Sequence, residues 1–270
     1  MPRPVDLPDF KKPPLHEVVI GIQFQPPIGY TQILAGKVRA LFEDRFPDVQ
    51  ELPNLPPQFE TFGTAAIQQS GLMFVSSSQH NRYWFCSNKD PTQLIQFQQD
   101  RLLHNWRKVE GYPSEYPRFE KMYENFEFET KKLELFFRTL SPQSLICNQV
   151  EISYVNHIML DRDNFGTAAS DYLKMCNFQD ICADDCTASY RRALTEADGN
   201  ARRRLIFDLQ TGVAAEGRKI LVITLTVRGA PVWPTLESSL DFLRQGRETI
   251  VREFASITTH SAHRLWERSS

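Results

Sequence analysis

The chain has 270 residues, of which 41% are apolar and 24% are charged, and its formal net charge is −2. These values are typical of a soluble globular protein with a substantial core, and they give no support for a strongly nucleic-acid-binding or membrane-surface protein. No apolar run approaches the roughly 20 residues that a membrane-spanning helix needs. The first 14 residues lack the apolar region of a secretory signal, so we expect a cytoplasmic protein with reduced cysteines.

The first half of the chain predicts a strand, a helix, several antiparallel strands and a second helix. Residues 1–14 contain five prolines and indicate an extended arm. The elements that follow are a strand over 16–24, a helix over 31–46 ended by Pro47, a loop over 52–58, strand-like runs over 59–69, 71–78, 83–88 and 92–106, and a helix over 118–139. A hairpin turn is expected at 80–82. If 92–106 is one strand, alternation places Phe97 on the same face as Arg101 and Asn105.

The second half predicts the same order of elements. The pattern indicates a strand over 149–160, a helix over 164–175, strands over 187–195, 202–213 and 219–229, and one long helix over 236–266 with Thr235 or Ser238 as its cap. Strands bracketed by helices favour an α+β fold. We therefore predict an extended N-terminal arm (1–14) and two similar α+β halves (15–142 and 143–270), consistent with duplication of a unit in which a helix packs on a curled antiparallel sheet. Whether the halves form separate domains or one continuous sheet stays open.

Four segments in fixed order carry a family resemblance: PPLHEVVIGIQF (13–24), FQQDRLLHNWRKVEGYPSEYPRFE (97–120), VEISYVNHI (150–158) and LRQGRETIVREFASITTHSAHRLWER (243–268). Together they resemble a sporadically distributed family of uncharacterised prokaryotic proteins of about this length. Its motifs are a Pro-Pro-x-x-Glu-Val-Val strand, Arg-x-x-x-Asn-Trp-Arg, Tyr-x-Asn-His and a Thr-Thr…His-x-x-Trp ending. The resemblance implies a family and no particular chemistry. Its sporadic distribution is compatible with mobile loci such as defence or toxin–antitoxin islands.

The resemblance selects the candidate site residues. Motif positions in this chain are Glu17, Arg101, Asn105, Trp106, Arg107, Tyr112, Pro113, Tyr116, Pro117, Arg118, Tyr154, Asn156, His157, Thr258, Thr259, His263 and Trp266. The candidates for ligand or partner binding are Arg101, Asn105, Trp106, Arg107, Tyr112, Arg118, Tyr154, Asn156, His157, His263 and Trp266. Arginine and asparagine donors beside an aromatic wall suit an anionic ligand. The alternative is structural, with the tryptophan packed and the polar groups satisfying buried carbonyls.

Catalytic and metal patterns are weak. His157 has no serine or cysteine motif to act on as a base, and a hydrogen-bonded structural histidine is the alternative. His260 and His263 have i,i+3 spacing on the last predicted helix, but no His-Glu-x-x-His pattern accompanies them. The spacing of Cys176, Cys182 and Cys186 does not fit a zinc site. We therefore predict no catalytic residue, metal or cofactor.

An arginine cluster flanks the turn-prone segment 196–201. Arg191, Arg192, Arg202, Arg203 and Arg204 would come together on a hairpin and contact phosphates. The alternative is a solvated strand edge protected by charge.

These observations favour a non-catalytic binding or interaction protein that recognises a partner protein or ligand, or forms a homo-oligomer. The first alternative is nucleic-acid or nucleotide binding through the arginine hairpin. The second is an enzyme that uses His157 or His263. The motifs of nucleotide hydrolases and serine hydrolases are absent from the sequence.

Overall fold

A computed structural model describes residues 3–62, 81–113, 115–160, 165–176, 185–196, 198–214 and 217–269. The strands within this part of the chain are β1 (Leu15–Phe24), β2 (Asp48–Leu52), β3 (Arg82–Cys86), β4 (Gln93–Gln98), β5 (Arg101–Arg107), β6 (Cys147–Met159), β7 (Thr187–Thr195), β8 (Ala201–Val213) and β9 (Lys219–Gly229). The helices are α1 (Ala35–Ala40), α2 (Phe119–Arg138), α3 (Phe165–Tyr172), α4 (Leu236–Ile257) and α5 (His260–Leu265). The protein is thus mixed α+β.

The nine described strands form one antiparallel sheet in the order β2-β3-β4-β5-β1-β6-β9-β8-β7. Strands β1 and β6 pair at its centre, with Ile20 opposite Ile152 and Val18 opposite Tyr154. All four side chains are buried. Because residues alternate between faces, the core lies on one side of the sheet. Alternate residues such as Val19, Gly21 and Ser153 lie on the other side, on which no described helix packs, and we call this side the helix-free face.

Helices α2 and α4 cover the apolar face. Helix α4 buries a stripe that includes Leu240, Leu243, Ile250 and Phe254 against β6 and β9. Thr235 caps its N-terminus by accepting a hydrogen bond from the Ser238 backbone. At Gly246 an added Cβ would lie 2.7 Å from the Ile152 side chain, so glycine permits the close approach of the helix to the sheet. No described helix is long and apolar enough to cross a membrane.

The prediction of one strand over 92–106 is wrong. Gln99 and Asp100 form a turn, and β4 pairs with β5 in a hairpin with Gln98 opposite Arg101. Phe97 consequently faces the core with Leu102, on the opposite face from Arg101 and Asn105. Neither turn residue has the positive φ typical of two-residue hairpin loops, so no glycine marks the turn.

Two predicted helices are shorter than expected. The helix predicted over 31–46 is a 3₁₀ turn (Gln32–Leu34) followed by α1, and an edge strand, β2, begins at Asp48. The helix predicted over 236–266 ends at Ile257, because Thr258 has an extended backbone and Thr259 caps the separate helix α5. Residues 59–62 are irregular, whereas the other residues of the strands predicted over 59–69 and 71–78, the start of the 80–82 turn and Cys182 lie outside the described residues.

Candidate functional site

The N-terminal arm, described over residues 3–14, lies across the C-terminal helices. Phe10 forms a β-bridge with Arg268, and the backbone amides of Lys11 and Lys12 donate to the carbonyls of Glu267 and Trp266 at 3.2 and 3.1 Å. The buried Phe10 ring makes edge contacts with three further rings. These belong to Phe254, His263 and Trp266, with centroids 5.6, 5.5 and 6.2 Å away. The arm is therefore docked by both main-chain and aromatic contacts.

A cavity of about 60 Å³, which we call the arm pocket, lies between the arm, β6, α4 and the start of α2. Its lining consists of Arg3, Pro8, Asp9, Phe10, Pro13, Leu15, Tyr116, Arg118, Phe119, Tyr154, Asn156, Arg247, Ile250, Val251 and Phe254. Apolar side chains make most of the wall. A cavity of this size accommodates a few water molecules or a small ligand group.

Buried polar groups converge on one side of the arm pocket. The Arg247 side chain is 3% exposed and donates to Glu120 Oε1 at 2.9 Å. Its guanidinium also lies 5.3 Å from the Phe119 ring centroid. The hydroxyls of Tyr116 and Tyr154 are 3.0 Å apart, and burial raises the pKa of both phenols. Such groups in an apolar cavity are the usual composition of a ligand site.

A second ionic cluster links the arm to the start of α2. Asp9 accepts from Arg118 Nη1 at 3.0 Å and pairs with Arg3 Nη1 at 3.2 Å. Burial lowers the pKa of Arg3, and Asp9 opposes that shift. Arg118 has φ 72° and ψ 153°, a backbone conformation that is strained for any residue other than glycine. Strain of this kind costs roughly 1–3 kcal/mol and concentrates at functional sites.

All four segments that carry the family resemblance contribute to the lining of the arm pocket, the first of them through Pro13 and Leu15 and the last through Arg247 and Phe254. Tyr154 and Asn156 line it from β6, and Arg118 lines it from the start of α2. Trp106 packs on Tyr116 with ring centroids 5.0 Å apart, and its buried Nε1 has no hydrogen-bond partner among the described residues. His263 and Trp266 contact the arm through Phe10.

His263 is fixed by hydrogen bonds at both ring nitrogens. Arg268 donates to Nδ1 at 3.2 Å, so the neutral ring carries its proton on Nε2 and donates to Thr258 Oγ1 at 2.8 Å. Thr258 in turn donates to the Phe254 carbonyl at 2.6 Å. Burial, reinforced by Arg268, lowers the pKa of His263. The ring therefore braces the junction of α4 and α5.

The remaining candidates of the central motif lie on the opposite, helix-free face. Asn105 is buried, accepts from Gln96 Nε2 at 2.9 Å and donates to Glu17 Oε1 at 2.7 Å. Arg101 is buried and pairs with Asp100 at 3.0 Å. The bonds of Asn105 tie β5 to β4 and β1, whereas Arg101 and Asp100 are neighbours in the chain.

Of the other two candidates in this motif, Arg107 is the last residue of β5 and Tyr112 lies in the loop that follows. The Arg107 guanidinium lies 5.7 Å from the Trp84 ring centroid. The Tyr112 hydroxyl donates to the Lys89 carbonyl at 2.9 Å. Neither side chain reaches the arm pocket.

His157 stacks on His16 at the junction of β6 and β1. The two rings are 3.7 Å apart and nearly parallel, at 8°. Burial lowers the pKa of His157 to about 4, and the charges of His16 and Lys108 act in the same direction. Burial also lowers the pKa of His16.

The arginine hairpin is largely ion-paired. Arg192 pairs with Glu253, Arg202 with Asp198, Arg203 with Glu196 and Arg204 with Glu60, each at 2.6 Å. Arg191 is exposed on the edge strand β7, opposite Ile206. The positive charge of the cluster is thus mostly balanced by carboxylates within the fold.

The sequence reasoning missed Arg247 and Glu120. A signal for Arg247 was present, because it occupies a position of the apolar stripe of α4 between Leu243 and Ile250. A charged residue at such a position must be paired or aimed into a cavity. Glu120 gave no comparable signal.

The described residues contain no group of three histidine, cysteine or acidic side chains that could hold a metal ion. The rings of His260 and His263, expected on one helix, lie together on α5 with centroids 5.9 Å apart. No protein-family model matches the chain, and no curated protein matches it significantly.

Proposed function

We propose that the chain is a non-catalytic binding protein whose ligand occupies the arm pocket. The observation that carries this proposal is the buried Arg247, which lines a mainly apolar cavity together with Tyr116, Tyr154 and Asn156. A fold does not need an ion pair at this position, since apolar replacements of buried pairs are often equally stable. A recognition role accounts for the burial of these groups beside a cavity.

The charges of the arm pocket favour an anionic ligand. Arg3, Arg118 and Arg247 line or flank it, whereas Asp9 and Glu120 are the acidic groups. One positive charge is therefore in excess. The apolar walls suit a hydrocarbon body, so a small carboxylic acid with an apolar chain is the ligand class that fits.

The geometry supports binding better than catalysis. His263 uses both ring nitrogens within the fold, and a ring with a pKa of about 4, such as His157, is a weak base. Enzymatic use of either histidine stays a prediction. Nucleic-acid contact through the arginine hairpin also stays a prediction. It has less support than ligand binding, because four of the five arginines already pair with carboxylates of the fold.

The test is calorimetric titration with hexanoate and with hexan-1-ol, its neutral counterpart. We expect saturable binding of hexanoate, weaker binding of the alcohol, and a loss of about tenfold or more in hexanoate affinity for Arg247→Gln, because a charge-assisted hydrogen bond is worth about 1.5 kcal/mol or more. Arg244→Gln removes the same charge one turn earlier on α4, outside the pocket lining, and should bind as the wild type does.

The fold of the variants is controlled separately. Arg247→Gln leaves Glu120 unpaired, so the double variant Glu120→Gln/Arg247→Gln provides a form without a lone buried charge. Circular dichroism establishes that each variant is folded. Absence of hexanoate binding to the folded wild type, or equal affinity in Arg247→Gln, would contradict the proposal.

We also infer membership of the sporadically distributed prokaryotic family that the sequence resembles. The support is spatial: residues from all four segments that carry the resemblance line one cavity, although the segments are far apart in the chain. An accessory role in a mobile locus is an expectation that follows from this inference, whereas the expected cytoplasmic location rests on the cysteines and the N-terminal sequence.

We propose, finally, that the two halves arose by duplication. Outward from the centre of the sheet, the strands run β1-β5-β4-β3-β2 on one side and β6-β9-β8-β7 on the other. In both halves the first strand pairs with the last, and a long helix follows that last strand. This common order supports the proposal.

A further inference from the structure

The helix-free face of the sheet is crossed by a segment of the chain itself. This segment, residues 53–62, contains neither helix nor strand, and we call it the strap. As the chain advances from 55 to 61, the strap contacts side chains of β4, β5, β1, β6, β9 and β8 in that spatial order. Six strands span about 24 Å, and six residue steps reach at most about 21 Å. The strap is therefore extended, and long side chains of the sheet reach it.

Sheet side chains bind the strap by its main chain. Gln98 contacts Leu55 twice: Nε2 donates to the carbonyl at 3.0 Å, and Oε1 accepts from the amide at 2.9 Å. Arg101 donates to the Pro56 carbonyl at 3.2 Å.

Two further glutamines continue this row. Gln23 Oε1 accepts from the Gln58 amide at 3.3 Å. Gln149, with its amide oriented to satisfy its neighbours, accepts from the Glu60 amide at 3.1 Å. Gln23, Gln98 and Gln149 are buried. A row of amide side chains paired with main-chain groups is how a surface holds an extended peptide of many sequences.

An arginine pair adds a preference for an acidic residue. Arg204 on β8 lies directly opposite Arg228 on β9. Like charges in this arrangement destabilise a sheet unless an anion lies between them. The Glu60 carboxylate does so, at 2.6 Å from Arg204 Nε and 2.9 Å from Arg228 Nε. Arg204 also donates to the Thr61 carbonyl at 2.7 Å.

The strap does not pack into the sheet as core. A cavity of about 120 Å³ separates them, lined by Leu55 and Gln58 from the strap and by sheet residues that include Gly21, Leu103 and Glu151. The attachment therefore consists mainly of hydrogen bonds and ion pairs. A competing extended peptide can reproduce such contacts through its own main chain without rebuilding a hydrophobic core.

We propose that the helix-free face is a peptide-binding platform for an extended, proline-containing acidic segment of a partner protein, and that the strap occupies it in cis. The sheet presents four arginines to this segment (Arg82, Arg101, Arg204 and Arg228), whereas Asp100 and Glu151 are the carboxylates that pair with them, so an acidic occupant offsets part of the remaining positive charge. Because the strap is tethered, its effective concentration is on the order of millimolar. A partner segment consequently displaces it only when it binds more tightly or when the strap is weakened.

The experiment uses a fluorescein-labelled peptide with the sequence of residues 53–62, PNLPPQFETF, titrated into the full chain and followed by anisotropy. The Glu60→Gln chain should bind the peptide at least about tenfold more tightly than the wild type, because its own strap has lost the ion pairs. Adding Arg228→Gln to Glu60→Gln should abolish this gain. Adding Arg191→Gln, which removes an exposed arginine away from the strap, should leave it unchanged.

The specificity of the site is tested with two further probes. A peptide with glutamine in place of the acidic residue should bind the Glu60→Gln chain at least about tenfold more weakly than the acidic peptide. Binding of oligo-dT in place of the peptide would reassign the platform to nucleic acid and overturn the proposal.

Folding is controlled by circular dichroism. If Glu60→Gln does not fold, Gln58→Ala serves as the weakened strap, since it loses the side-chain contact with Arg228 and keeps Glu60. Absence of saturable peptide binding to the folded weakened-strap chain overturns the proposal. Arg247→Gln should not affect peptide binding, so this result is independent of the arm pocket.

Discussion

At the scale of single residues, the face of the sheet on which a side chain lies decides its role. Consecutive residues Asn105 and Trp106 illustrate this. Asn105 joins three strands on the helix-free face, and Trp106 packs beside the arm pocket on the other. A motif that is contiguous in sequence therefore serves two surfaces, and substitutions at neighbouring positions test different properties of the protein.

The stacked pair of His157 and His16 predicts a loss of stability at acidic pH. The pKa of His157 is about 4 in the folded protein and about 6.5 in an unfolded chain. Protonation is thus disfavoured by the fold, so the stabilising contribution is complete above pH 6.5 and is lost as the pH falls from 6.5 through 4. We expect the urea midpoint of the wild type to fall across this interval.

His157→Phe should flatten that dependence, because phenylalanine keeps a ring on His16 and does not titrate. The comparison is between urea midpoints at pH 7 and pH 5 for both proteins. His260→Phe, on the exposed side of α5, is the matched control and should retain the wild-type dependence. An unchanged slope in His157→Phe would show that other groups, such as His16 or His263, determine it.

At the scale of elements, close packing of α4 on the sheet makes an unusual prediction for Gly246. Helix propensity alone would make Gly246→Ala stabilising by up to about 1 kcal/mol. The new Cβ, however, would lie 2.7 Å from Ile152 Cγ2 and 3.4 Å from Val227 Cβ. We expect a net loss of about 1–3 kcal/mol in the free energy of unfolding from overpacking.

Gly36→Ala is the control for this substitution. Gly36 lies in α1, is exposed, and has no atom within 4 Å of an added Cβ. The same change should therefore stabilise the protein by up to about 1 kcal/mol. Urea denaturation measures the change in the free energy of unfolding for both variants. If both substitutions stabilise the protein, or both destabilise it, overpacking at Gly246 is refuted.

The elements that sequence patterns predicted well are those with long, clean periods. Helix α2 and strands β6 to β9 were predicted in both type and approximate extent, and helix α4 was predicted in type and in its start. The β4–β5 turn was missed because Gln99 and Asp100 adopt it without glycine or proline. The end of α4 at Ile257 was missed because apolar spacing continues into α5, and Thr258 and Thr259 reveal the break only through their caps.

The candidate site was predictable only in part. Sequence motifs named Tyr154, Asn156 and Arg118, but their convergence depends on pairing between strands distant in the chain. The docking of the arm depends in turn on Phe10, which no period distinguishes. The sequence predicted that the strap begins as a loop and continues as a strand. Its irregular conformation could not be predicted, because its hydrogen bonds go to side chains of the sheet and leave no periodic pattern in the sequence.

At the scale of the whole molecule, the two halves share one core. The β1–β6 seam pairs Val18, Ile20 and Ile22 with Tyr154, Ile152 and Val150, and all six side chains are buried. A boundary between independent domains is usually more polar than a core. The apolar pairing of β1 with β6 instead couples the halves. They form one sheet, whose edge strands are β2 and β7.

This coupling predicts that damage in the second half weakens the first. Phe207 on β8 is fully buried and stacks on Tyr190 at 4.8 Å. Phe207→Ala should cost about 3–5 kcal/mol. If the sheet opens as one unit, native-state hydrogen exchange should show an equal loss of protection in β8 and in β4–β5, on the far side of the seam. Val213→Ala, at the exposed end of β8, should change the free energy of opening measured in β8 and that measured in β4–β5 by no more than about 0.5 kcal/mol each. Loss confined to β7–β9 would instead show that β1–β5 opens separately, and the apolar seam would then be an interface between two folding units.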